Sequence, residues 1–139
     1  MIPGPNGQRI KAQLLIWWIL WAGVLGGLGV IYFTLSRGGP RPVTVLADLW
    51  INLAGFLPLF VSVVIRWLVL PRYTEPGRAL VIFIVGLLLA EACGLLGIFL
   101  GGPYRDALFA LGVLGIVQFV PPFAKRLFEP RGGGFFPNR

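Results

Sequence analysis

The chain contains no histidine and one cysteine, and only 12 basic and 5 acidic residues in 139. Without histidine it lacks the commonest metal ligand and the side chain best suited to general-base work near neutral pH. One cysteine permits no internal disulfide, and Cys93 lies inside an apolar run, where it reads as a small packing residue. No Gly-x-x-x-x-Gly-Lys-Ser/Thr loop, Gly-x-Ser-x-Gly elbow or His-Glu-x-x-His segment occurs. These absences argue against phosphate-loop, serine-hydrolase and zinc-hydrolase chemistry. No cofactor, no metal and no enzymatic activity are expected.

What the chain has instead is apolar length. Hydrophobic residues make up 57% of it, and the mean hydropathy is +0.85. That composition belongs to polytopic membrane proteins. The net charge of +7 resides between the apolar runs, so anionic lipid headgroups are the expected partner rather than nucleic acid.

The organising stretch is 79–100, ALVIFIVGLLLAEACGLLGIFL, apolar throughout except for Glu91. As a helix its 22 residues rise ~33 Å, enough to cross a hydrocarbon core. Glu91 is the thirteenth of them and falls near mid-depth. An ionisable group there costs at least ~2.5–3.5 kcal/mol and ordinarily faces a bundle interior or a wet cavity. Three states are open to it: a neutral acid hydrogen-bonded within the bundle, an ion pair with Arg66, or an ion or proton site. Arg66 lies ~6 Å from the polar end of its own span and Glu91 ~18 Å from the same end, so a pair requires Arg66 to reach inward.

Three further spans are predicted. The first covers 14–35, after a tail over 1–13 whose Pro and Gly residues suggest irregular structure. A signal peptide is the rival reading of this run. Its length and the lack of a small-x-small cleavage site favour a retained anchor. Trp17, Trp18 and Trp21 at its start and Tyr32 and Phe33 at its end read as interface anchors. Gly23 and Gly27 form a Gly-x-x-x-Gly pair at which another helix can approach closely. The second span covers 43–70, with Asp48 and Asn52 one turn apart near its start and Pro58 in its middle, where a kink is expected. Asp48 and Asn52 read either as an interfacial acid suited to the helix dipole or as a polar entrance. The fourth covers 104–120, with Pro103 available for its first turn and Gln118 near its far end. Beyond it, 121–139 carries a short amphipathic FAKRLFE segment and a Gly-rich end, an interfacial and flexible tail.

Gly86, Ala90, Gly94, Gly97 and Gly101 recur at spacings of 4, 4, 3 and 4, a continuous stripe along the third span. Its reading is helix–helix contact, with Glu91 at its edge. The distribution of Lys and Arg sets the orientation. Arg9, Lys11, Arg66, Arg72, Arg78, Lys125, Arg126, Arg131 and Arg139 fall on one side, and Arg37, Arg41 and Arg105 on the other. Both termini are therefore expected in the cytoplasm. The expected fold is all-α, a bundle of four transmembrane helices. Its expected place is a bacterial inner (cytoplasmic) membrane.

The hairpin over 71–100 resembles the polar loop and second helix of the rotary ATP synthase c subunit. Arg72 and Pro76 match that family's loop, Ala90-Glu91-Ala92 its carboxylate motif, and Gly94 and Gly97 its following glycines. The resemblance implies a proton or ion carrier in which Glu91 binds and releases the ion. The chain departs from the family pattern at Tyr73 and Thr74, where the family usually has Gln, and in its additional first and fourth spans. Residue chemistry favours a non-enzymatic membrane subunit or scaffold, associated with other membrane subunits or with copies of itself. The c-like carrier is the alternative.

Overall fold

The computed structural model describes residues 5–35, 50, 53–100 and 102–121, with side chains from residue 11 onward. Among these residues the chain is all-helical, without strands. Helix α1 is Pro5–Leu35, α2 is Leu57–Val64, α3 is Pro76–Leu100 and α4 is Arg105–Val117. A π-helical turn, Ile65–Val69, and a 3-10 turn, Leu70–Arg72, continue α2 toward the connection into α3.

Three boundaries differ from the sequence expectation. The irregular tail is helical from Pro5, because a proline in the first turn has a suitable φ and needs no N–H partner. The kink expected at Pro58 is instead a break just before it: Gly55 and Phe56 form a turn, and Pro58 occupies the first turn of α2. No intrahelical bond is lost there. Pro103 lies in the turn before α4, whose N-cap is Tyr104.

The helices differ in reach. Within α1 the segment Lys11–Leu35, and α3 over Pro76–Leu100, are long and apolar enough to cross a membrane. The 13 residues of α4 rise only ~20 Å, short of the ~30 Å of a hydrocarbon core.

Contacts fix the relative directions. Trp17 meets Phe83 and the Leu28 side chain lies at Gly94, so α1 and α3 run parallel. The Gly97 position meets Leu108 and the Gly86 position meets Phe119, so α4 runs antiparallel to α3. Ser62 lies level with Gly86 and Leu59 with Gly115 and Ala90, which sets α2 antiparallel to α3 as well. Helix α3 is the hub of this arrangement. Phe83, buried in its first third, lies 4.6 Å from the Trp17 ring and 5.9 Å from the Phe119 ring.

The small residues of α3 permit the close approach. A Cβ on Gly94 would lie 2.8 Å from Leu28, and one on Gly97 2.7 Å from Leu108 Cβ and 2.8 Å from the Arg105 carbonyl. On α4, a Cβ on Gly112 would lie 2.7 Å from the Gly94 nitrogen. The two backbones therefore touch at Gly112, where a side chain has no room, and Gly97 makes space on α3 for the first turn of α4.

Candidate functional site

Polar groups are few in this bundle, and each one that bonds across helices uses a backbone carbonyl or a neighbouring helix end. Against the N-terminal half of α3, two side chains bond to the C-terminal end of α4. Trp21 Nε1 donates to the Ile116 carbonyl at 2.9 Å, and Arg66 Nε donates to the Gln118 carbonyl at 2.7 Å. The last carbonyls of a helix have no partner within it and carry the negative end of the helix dipole, so a guanidinium there is doubly favourable. Arg66 belongs to the π-helical turn and its guanidinium carbon lies 5.5 Å from the Trp67 ring centre. The Gln118 side-chain amide nitrogen is buried and has no hydrogen-bond partner among the described residues.

At mid-bundle, the fully buried Ser62 donates its hydroxyl to the Gly86 carbonyl at 2.8 Å. The Cys93 thiol, also buried, lies 3.6 Å from the Leu108 carbonyl. Sequence reasoning misses Ser62, because a lone serine in an apolar run carries little signal. At the opposite end, Tyr32 donates to Asp106 at 3.0 Å and stacks on Phe109 with ring centres 3.7 Å apart. Arg105 Nε meets the same Asp106 oxygen at 2.9 Å. This three-residue link ties the end of α1 to the start of α4.

Glu91 stands apart from all of these. It is partly buried on α3 and forms no hydrogen bond or ion pair with the described residues. Successive helix residues advance ~100°, so Glu91 lies about that far round from Ala90, off the centre of the packed stripe. It shares an edge with Leu80, which lines a cleft of about 90 Å³ against Gln13, Ile16 and Trp17 of α1. Arg66 and Glu91 are not brought together. Arg66 is four residues from Ser62 toward one end, and Glu91 is five residues from Gly86 toward the other, an axial separation of ~13 Å.

The remaining candidate residues divide in two groups. Gly86, Ala90, Gly94 and Gly97 are buried in contacts between helices. Gly23 and Gly27 have nothing of the described residues within 4 Å of where a Cβ would stand, and the same holds for Gly26 and Gly29. Gly112 and Gly115 are packing residues beyond those expected from the sequence, though their Gly-x-x-Gly spacing in an apolar run is a visible signal. Asp48, Asn52, Gly101 and the tail after residue 121 lie outside the described residues. No group of three His, Cys, Asp or Glu side chains suited to a metal occurs among the described residues.

No protein-family model matches this chain, and neither does any curated protein or solved structure.

Proposed function

We propose that the chain is a non-enzymatic integral membrane subunit or scaffold of a larger membrane protein complex. In this reading it crosses a bacterial inner membrane four times, with both termini in the cytoplasm. The observation that carries it is the outer surface of α1. Of the most apolar 18-residue window in α1, only 11% is buried, and Ile19, Val30 and Phe33 are exposed at 61%, 64% and 78%. A contiguous apolar face of that kind suits lipid or another membrane protein. Where lipid replaces water, helix association depends on close packing rather than on apolar burial. Gly23 and Gly26 offer a surface for such packing on the side of α1 turned away from Trp17 and Leu28, with Gly27 at its edge.

The test is purification of the tagged full chain in mild detergent, followed by mass spectrometry of what accompanies it. Stoichiometric membrane partners support the reading. A monodisperse monomer without partners argues against it.

A second reading, the c-like carrier, is favoured by the partly exposed position of Glu91, since a carrier of that kind exchanges its proton laterally. Against it, Gly94 and Gly97 pack within the chain, on Leu28 and Leu108, rather than presenting a face to a second copy. Rapid carbodiimide labelling at neutral pH, blocked by Glu91→Gln, together with a homo-oligomeric ring, would favour the carrier. A Glu91→Gln chain that assembles and works normally would remove it.

A further inference from the structure

We propose that Glu91 is a docking residue for a different membrane protein, whose spanning helix carries a Lys or Arg at mid-depth. The inference rests on the membrane-subunit reading and adds the chemistry of the partner. Glu91 is partly buried at the edge of α3 and is neither hydrogen-bonded nor ion-paired with the described residues. Ser62, Trp21 and Arg66 each satisfy a backbone carbonyl of a neighbouring helix. Glu91, partly buried at the edge of the stripe, has no such partner among the described residues. In hydrocarbon a carboxyl is stable when paired, and a cation on an adjoining helix neutralises both charges at once.

The surface beside it suits a helix. Leu88 is 51% exposed one turn before Glu91, and Leu95 is partly buried one turn after it. Ala92 next to it is small, so a second helix can come close.

Charge complementarity separates a different protein from a second copy. No Lys or Arg occurs in 14–35, 43–65, 79–104 or 106–124. Every cation of the chain therefore lies beyond a span or within about one turn of its end, Arg66 being the furthest in at ~6 Å. A second copy inserted in the same orientation brings its own Glu91 to this depth and no cation with it. The partner must supply a charge that this sequence does not contain.

The experiment uses the full chain in its native membrane. A photoreactive residue replaces Leu88, which leaves Glu91 intact, and a second variant carries the same probe at Phe33 on α1. In parallel, Glu91→Gln, Glu91→Leu and Glu91→Asp chains are purified in mild detergent and their thermal unfolding is compared with that of the wild type. The expected result is one adduct from position 88, absent from position 33, to a protein with a mid-span Lys or Arg. Recovery of that protein should fall at least about tenfold with Gln or Leu and less with Asp. Glu91→Lys combined with an acidic replacement of the partner's cation should restore it. Undiminished recovery with Glu91→Leu overturns the inference and leaves the membrane-subunit reading intact. An adduct to a second copy, or to a helix without a mid-span cation, overturns it also. A wild-type chain that brings down no partner overturns both.

Discussion

Gly112 and Gly94 meet backbone to backbone: a Cβ on Gly112 would stand 2.7 Å from the Gly94 nitrogen and 2.8 Å from its Cα. The contact joins α3 and α4 at the level where the Ala90 carbonyl lies 3.1 Å from the same point. Neither backbone can yield by rotating a side chain. Gly112→Leu should therefore destabilise the bundle by ~1–3 kcal/mol or more through overpacking, and Gly94→Leu, whose new side chain would meet the flexible end of Leu28 on α1, by less. Leu88→Ala, at an exposed position, should cost much less. Thermal unfolding in detergent orders the three. Equal midpoints for Gly112→Leu and wild type would mean that the two helices do not touch there.

Ser62 is fully buried, and its hydroxyl bonds to the Gly86 carbonyl, which holds α2 against α3. Ser62→Ala removes the bond with little change of volume, and the expected loss is ~1 kcal/mol. Ser62→Leu should be worse, because the side chain would have to enter the contact with α3. A chevron or equilibrium unfolding series in a mixed micelle measures both, and Ala more stable than Ser would contradict the bond.

Arg66 caps α4 from the π-helical turn through Nε. A lysine ammonium is a point charge without the guanidinium's planar fork, so Arg66→Lys should restore only part of what Arg66→Met loses. Bonds to charged groups contribute ~1.5–3 kcal/mol, which bounds the Met effect. Faster amide exchange of residues 116–120 in the Met variant, with α1 unaffected, is the expected signature. Uniform exchange changes over the whole chain would point to general loosening instead.

The proposed topology makes a separate claim. Reporter fusions after Arg139 and within 71–78 should read cytoplasmic, and one within 38–40 should read on the opposite side. A C-terminus outside the cytoplasm would remove the four-span reading, whatever the bundle's internal packing.

Much of the helical framework is legible in the residues alone. The run over 79–100 is long, apolar and uninterrupted, and α3 occupies it with three further residues at its start. Boundaries set by proline are less legible. Pro58 reads as an interruption within one helix, yet the chain breaks at Gly55 and Phe56 and lets Pro58 open the next segment. Proline prohibits a position inside a helix but does not say which side of it the break falls on.

Helicity, the small-residue stripe of α3 and the depth of Glu91 within it follow from the residue order alone, because period, composition and rise per residue are local properties of the chain. Which glycines are used is a matter of packing. Gly86, Gly94 and Gly97 meet neighbouring residues of the bundle, while Gly23 and Gly27, in the more familiar spacing, have none of the described residues against them. Packing also brings Arg66 to the Gln118 carbonyl and not to Glu91. Both outcomes follow from the relative rotation and axial offset of the helices, which many residues set together and no single motif encodes.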